Sequence, residues 1–185
     1  GWNFGEASRL GLAYNRQSWD RDYREIEESD EDILKFTYDT RLGAFQIRAF
    51  YEMGDRSIGD YSTEAQEESF IHPEGINNLP ALRKYDEAER EYDGYGVQGW
   101  WYATEAMDLS FGVNQRNDDY DESRFGLVGD ELLQYNAEIN FAVASGSNLY
   151  FFYQRSEREV FQRSRQSGAT PSTNPLDDWD VTFDE

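Results

Sequence analysis

From Leu133 the odd positions read Leu133, Tyr135, Ala137, Ile139, Phe141 and Val143, while Gln134, Asn136, Glu138, Asn140 and Ala142 lie between them. The alternation is apolar on one face and mostly polar on the other. A helix would need its apolar residues at i, i+3, i+4 and i+7, and those positions here mix both classes. The stretch predicts a strand, longer than the ~5–6 residues usual in globular sheets. Small, turn-prone residues follow at Ala144-Ser145-Gly146-Ser147. Asn148 to Arg155 predicts a second strand, with Leu149, Phe151 and Tyr153 on one face and aromatic Tyr150 and Phe152 intruding on the other.

The same unit precedes it twice. Leu10, Leu12 and Tyr14 open a strand running to about Trp19. Leu34, Phe36 and Tyr38 alternate with Lys35, Thr37 and Asp39, and the turn Thr40-Arg41-Leu42-Gly43 leads to Phe45, Ile47, Ala49, Tyr51 and Met53, with Gln46, Arg48, Phe50 and Glu52 on the other face. Tyr95, Val97, Gly99 and Trp101 share a face, and the turn Ala103-Thr104-Glu105-Ala106 leads to Leu109, Phe111 and Val113, between which lie Ser110, Gly112 and Asn114. Between these hairpins lie long polar stretches, read as loops: Asp20 to Asp32 (a loop or polar strand ends), Asp55 to Glu91, Asn117 to Asp130 and Ser156 to Asp178. A structureless loop as long as Asp55 to Glu91 counts against a compact soluble domain, but outer-membrane barrels combine short periplasmic turns with long extracellular loops.

The pattern therefore predicts an all-β, antiparallel, up-and-down transmembrane β-barrel segment. It has about seven to eight strands, short periplasmic turns and long acidic extracellular loops. A strand of about 9–11 residues crosses the hydrocarbon. The whole chain, 1–185, is expected to be part of one outer-membrane barrel domain and a fragment of a larger chain, since it opens on Gly1-Trp2-Asn3-Phe4 and closes as another strand starts near Trp179. The absence of a signal peptide then says nothing about location. A soluble hairpin sheet with one wet face is the competing architecture.

Composition sharpens this. Thirty-eight acidic residues face 17 basic ones, for a formal charge of −21, and aromatic content is 16%. Disordered chains are poor in aromatics. Acidity disfavours nucleic acid as a partner. There is no cysteine, so the chain cannot carry a Cys-x-x-Cys-His haem attachment site.

Candidate chemistry is sparse. His72, the single histidine, sits in a loop bounded by Pro73 and Gly75 and reads as solvated, since a metal site needs several converging ligands. Asn117-Asp118-Asp119-Tyr120-Asp121-Glu122 could offer carboxylates to Ca²⁺ but lacks the spacing of an EF-hand loop. Asp86 and Glu89 form a carboxylate pair with no nucleophile in view, so catalysis is disfavoured. Trp100-Trp101-Tyr102 reads as an interface anchor, with carbohydrate stacking as the rival. Arg155, Arg158, Arg163 and Arg165 either meet an acidic partner or balance neighbouring carboxylates.

Several polar stretches, taken in order, carry a resemblance. They are Arg21 to Asp32, Ile47 to Glu52 with Asp55-Arg56, Leu82 to Arg90, Asp118-Asp119-Tyr120 ahead of Phe125-Gly126-Leu127, and Asn174-Pro175-Leu176-Asp177-Asp178-Trp179. Together they resemble the MtrB/PioB family of outer-membrane β-barrels. The resemblance implies a barrel of more than twenty strands that sheathes a periplasmic multihaem c-type cytochrome, usually decahaem. Electrons then cross the outer membrane, often on to an extracellular cytochrome. The barrel would be a scaffold, not an enzyme, binding no cofactor of its own; haem would belong to the partner, and outer-membrane lipid would surround it. The expected lumen-facing residues are Lys35, Thr37, Gln46, Arg48, Ser110, Asn114, Gln134, Asn136, Glu138 and Asn140. Their polarity suits a general porin or transporter lumen equally well.

Overall fold

The computed structural model of the chain describes residues 1–5, 7–22, 25–61, 82–120, 123–144, 146–165 and 172–185. Within them the strands are β1 (Trp2–Phe4), β2 (Ser8–Asp20), β3 (Glu28–Leu42), β4 (Phe45–Ile58), β5 (Leu82–Arg83), β6 (Arg90–Thr104), β7 (Met107–Asp119), β8 (Phe125–Ala144), β9 (Ser147–Arg165) and β10 (Asp178–Asp184). Apart from β5 they form one sheet in chain order, each strand antiparallel to the next. The short β5 pairs in parallel with β8 through Leu82↔Phe125 and Arg83↔Gly126. The sheet is open, consistent with a segment of a β-barrel porin.

The strands outrun the sequence expectation at one end. Asn117 to Asp130 is not one loop: β7 continues to Asp119 and β8 begins at Phe125. Likewise β3 starts at Glu28, β4 runs to Ile58 and β9 reaches Arg165. Counting β1 and β5 there are ten strands among the described residues, above the seven or eight expected. The missed portions are polar on both faces, so their alternation carries no hydrophobic contrast. They hold together through paired charges instead: Arg163 lies 2.7 Å from Asp180 across the β9–β10 ladder, and Arg158 pairs with Asp130 across β8–β9.

At the other end the hairpins close tightly. Leu42 pairs with Phe45 around Gly43, whose φ of 63° is the left-handed backbone that a two-residue hairpin turn requires. Gly146, at φ 80°, serves the β8–β9 turn in the same way.

Register sorts the side chains into two faces. The row Tyr38, Ala49, Val97, Val113 and Tyr135 runs straight across five strands. One residue pair further towards the turns lie Thr40, Ile47, Gly99, Phe111, Ala137 and Tyr153. This face is a continuous apolar band. It has no covering layer among the described residues, and Leu12 (47%), Phe111 (49%) and Phe151 (58%) are exposed accordingly. A water-soluble protein rarely exposes an apolar patch beyond ~300–600 Å², and a sandwich would cover this face with a second sheet. Lipid is the cover that the single layer calls for.

The band also slopes. On β3 and β4 its last apolar residues before the charged rows are Leu34 and Met53, register partners of each other. On β9 the last is Tyr153, on the row of Ile47, six residues nearer the turn than Met53. Six residues are roughly 20 Å along a strand, and β3 to β9 is five steps of about 4.8 Å, so the band inclines at about 40° to the ladder. The short turns step the same way, from the row of Ser8 at β2 to beyond Phe141 at β8. An inclination of ~35–45° is the strand tilt of an outer-membrane barrel.

Ile139 sits near the middle of the band on β8, and Asn140 beside it faces the other way. Replacing Ile139 with Arg is expected to destabilise the protein in bilayers by about 2–4 kcal/mol, the cost of a cation at the midplane. Asn140→Arg is expected to be much milder. Denaturant unfolding of both variants of the full-length protein from lipid vesicles measures the difference.

Candidate lumen face

The opposite face is built from the other residue of each alternating pair. All ten sequence-predicted residues fall on it: Lys35 and Thr37 on β3, Gln46 and Arg48 on β4, Ser110 and Asn114 on β7, and Gln134, Asn136, Glu138 and Asn140 on β8. Rows of register partners connect them. Gln46, Trp100, Ser110, Glu138 and Phe152 form one, and Arg48, Gln98, Gly112, Asn136 and Gln154 the next.

Charge on this face is arranged in two styles. On β3 and β4 two cations meet a carboxylate directly opposite. Lys35 Nζ donates to Glu52 at 2.9 Å, and Arg48 Nε donates to Asp39 at 2.6 Å. On β6 to β8 the face turns to glycine and amide. Gly94, Gly96 and Gly112 lie among Gln98, Asn114, Gln134 and Asn136. A Cβ on Gly96 would collide with the Asn114 amide and crowd the Phe50 ring, so the low relief is enforced by packing within the sheet. Asn140 Nδ2 donates to Asp108 at 3.0 Å and to Glu138 at 2.8 Å.

Beyond the band, at the end away from the short turns, the same face carries the buried part of the structure. Ile26, Ala88, Tyr92, Tyr120 and Phe125 are buried there with Glu25, Glu31 and Glu87. The segment after β5 lies against the strand ends. Arg56 donates to the carbonyls of Ala88 at 2.9 Å and Tyr85 at 2.5 Å, and Lys84 Nζ donates to Glu25 at 2.5 Å. Arg90 pairs with Glu31 and lies 3.3 Å from Asp118. Arg116 holds Asp118 at 2.7 Å while its guanidinium stacks 3.7 Å from the Tyr92 ring. The Tyr92 ring in turn occupies the space over Gly54, where a Cβ would collide with it.

Comparison with known proteins agrees with this geometry. The model of the family described as "Putative outer membrane beta-barrel porin, MtrB/PioB" matches residues 1–185, the whole chain. The chain belongs to the MtrB/PioB family. It is similar to the outer membrane protein MtrB of Shewanella baltica (strain OS185), 26% identical over 164 residues. That match covers 88% of this chain and 23% of the relative, so the chain spans about a quarter of the relative's length. The MtrB/PioB chain thus belongs to an outer-membrane, porin-like β-barrel family.

The structure revises several sequence expectations for this MtrB/PioB chain. Trp100-Trp101-Tyr102 is not one anchor. Trp101 lies on the apolar face, stacked on Phe45 at 5.4 Å, while Trp100 and Tyr102 register on the opposite face with Ser110 and Asp108. Asn117, Asp118 and Asp119 lie in β7, where successive side chains point to opposite faces, so these three do not converge on one ion; Asp121 and Glu122 lie outside the described residues. His72 also lies outside them. Asp86 and Glu89 flank the buried Glu87 and Ala88 in the segment leading to β6. Of the two readings of the four β9 arginines, the ion pairs match the second, the balancing of neighbouring carboxylates. Arg155 pairs with Glu157 at 2.7 Å, Arg158 with Asp130, Arg163 with Asp180 and Arg165 with Asp178. Missed entirely in the sequence was the cluster of Arg56, Arg90, Arg116, Glu31, Asp118 and Tyr92. Its members come from four separated points of the chain (Glu31, Arg56, Arg90 with Tyr92, Arg116 with Asp118), in or at the edge of stretches that read as solvated.

The charged rim beyond the band sets the local titration. Burial and the nearby Glu52 carboxylate push the Tyr92 phenol up to about 12, so it remains a neutral donor to Glu52 at 3.1 Å. Hydrogen bonds from Arg165 hold the Asp178 carboxyl below the usual carboxylate range. The Ser18 hydroxyl and then Arg16 do the same for Asp30. A carboxyl depressed in the folded state stabilises it at pH values above its unfolded pKa, near 3.9, and that contribution fades as pH falls through the lower folded value. The β9–β10 and β2–β3 strand ends are therefore expected to loosen below about pH 4, while the amide-lined middle of the sheet, on β7 and β8, holds. Hydrogen exchange of the full-length protein at pH 6 and pH 3, corrected for intrinsic rates, is the measurement.

Arg90 offers a second check. Its loss would leave the largely buried Glu31 without its ion-pair partner and Asp118 with Arg116 alone. Breaking a buried pair costs about 3–5 kcal/mol, and the partial exposure of Arg90 places Arg90→Ala near the lower figure. Local opening at Glu28–Asp32 and Arg90–Tyr92, read by hydrogen exchange, should report it.

Proposed function

We propose that this segment forms part of the wall of a barrel that sheathes a multihaem c-type cytochrome for electron transfer across the outer membrane, with a scaffold role for the barrel itself. The observation that carries the reading is the opposite face. On β3 and β4 two charge pairs are matched on the wall (Lys35 with Glu52, Arg48 with Asp39), and its centre on β6 to β8 is flattened by glycine and amide side chains. Such a surface offers hydrogen bonds and low relief to a folded protein. A cytochrome could not cross ~30 Å of hydrocarbon with its polar surface bare. The lipid-facing band and polar lumen would supply the missing interface, and the ten polar residues named above would line it. The short turns would face the periplasm, where the cytochrome enters, and the rim would face outward, towards any extracellular cytochrome. Haem belongs to the partner.

The same polar face could bound a water-filled porin or transporter lumen, so the test must separate the two. The full-length protein is purified from outer membranes in mild detergent, and the haem Soret band is quantified per barrel after size exclusion. Several haems per barrel, retained through the column, are the expected outcome. A folded, membrane-derived barrel with no haem would overturn the sheath and leave a porin or transporter.

A further inference from the structure

Large aromatic side chains on the lumen face are concentrated at the short-turn end of β6 to β9. Tyr102 registers with Asp108, then Asn140, then Tyr150. One row deeper, Trp100 is joined through Ser110 and Glu138 to Phe152. Two rows on four neighbouring strands thus gather four rings around two carboxylates. Tyr150 and Phe152 are 61% and 69% exposed and stack on each other at 6.2 Å.

The membrane does not account for these rings. Interface aromatics face lipid, and β9 already presents Leu149, Phe151 and Tyr153 on that side. A water-filled lumen does not account for them either, since exposed stacked rings gain nothing from water. The two carboxylates add a sign. Elsewhere in the band the lumen-face carboxylates are neutralised by the wall itself, Glu52 by Lys35 and Asp39 by Arg48. Asp108 and Glu138 are held by the Asn140 amide, and among the described residues neither has a cationic partner. Exposed rings beside uncompensated carboxylates form a surface complementary to lysine and arginine side chains, which pair with the carboxylates and lie over the ring faces.

We infer that Trp100, Tyr102, Tyr150 and Phe152, with Asp108 and Glu138, form a docking platform for a lysine- or arginine-bearing face of the enclosed cytochrome, at the periplasmic end of the lumen. The inference rests on the sheath reading and goes further: it names the patch of wall that grips the partner and the charge of the surface gripped. Aromatic side chains packed against guanidinium groups are typical of the few residues that dominate an interface. The flat amide-lined wall deeper in the lumen then lets the partner pass without holding it.

The test uses the full-length protein with its co-purifying cytochrome. The pair Tyr150→Ala and Phe152→Ala, and separately Asp108→Asn with Glu138→Gln, are each expected to lower cytochrome retention at least about tenfold, the scale of one such anchor. Wild-type retention should fall with added salt, and the Asn/Gln variant should lose most of that salt dependence. Phe151→Ala, on the opposite face, should leave retention unchanged. Because a variant could fail to assemble, a photo-crosslinking phenylalanine analogue is placed at position 152 or 151 in otherwise native protein. A haem-staining adduct from 152 and none from 151 supports the platform. Variants that fold and retain cytochrome as the wild type does, or adducts from 152 only to the barrel itself, overturn the platform and leave the sheath standing. A wild-type barrel that purifies without haem overturns both.

Discussion

A backbone that crosses hydrocarbon has no water to satisfy its amides, so every N–H and C=O must find a partner in the neighbouring strand. The ladders from β2 through β9, broken in register only near the turn ends at Tyr102/Thr104 and Ala142/Ala144 and beyond the band at Leu127/Gly129, follow from that constraint, and so does the segregation of the two faces. Once the ladder is fixed, side chains alternate strictly. Each strand can then present Leu, Phe and Val to lipid and Gln, Asn and Lys to the interior without either set disturbing the hydrogen bonds. The sheet has no conventional core in this region because the bilayer takes the place of one. Its buried residues, Ile26, Tyr92, Tyr120 and Phe125 among them, collect beyond the band, where water returns and the chain must again cover its own apolar groups.

The slope of the band ties these strands to a curved wall. Strands perpendicular to the membrane would end their apolar runs on one row of register partners. Here the end slips from the row of Met53 on β4 to that of Tyr153 on β9, and the turns slip in the same direction. A shift at both edges by like amounts reflects the inclination of the whole sheet, not a shortening of individual strands. Beyond the sloping edge the acidic surplus begins, with Asp32 opposite Asp55 and Asp93 opposite Asn117 on what was the lipid side. The formal charge of −21 is therefore not spread evenly. Within the band, on the face opposite the apolar one, the carboxylates Asp39, Glu52, Asp108 and Glu138 are matched in number by Arg9, Lys35, Arg41 and Arg48, and the excess lies where solvent can screen it.

The sequence discloses the band strands because hydrophobic contrast and backbone period coincide there. Leu34-Lys35-Phe36-Thr37-Tyr38 can be read by eye, and the short turns are marked by Gly43 and Gly146. The same contrast puts the ten polar residues on one face of the sheet, since facing in a strand is a matter of parity. Where both faces meet water the contrast vanishes, and with it the strand signal: Asn117-Asp118-Asp119 reads as an acidic loop although it is the end of β7. The rim cluster was invisible for a different reason. Arg90 reaches Glu31 across 59 residues of sequence, and nothing local in either stretch announces the other. Trp100-Trp101-Tyr102 misled because composition says aromatic while parity says two faces.

That parity gives β9 its significance. Leu149 to Tyr153 is apolar or aromatic at every position, a run that would suit a strand buried on both sides, yet its two faces meet different surroundings. The lipid side accounts for Leu149, Phe151 and Tyr153. Among the described residues nothing covers Tyr150 and Phe152, and their neighbours Asp108 and Glu138 have no cationic partner there, unlike Asp39 and Glu52 on β3 and β4. A wall that compensates its own charges in one place and leaves aromatic rings and carboxylates uncovered in another is not uniform towards its contents. Uniform polarity would suffice to hold water. The unevenness is what a wall fitted to a particular protein surface would show.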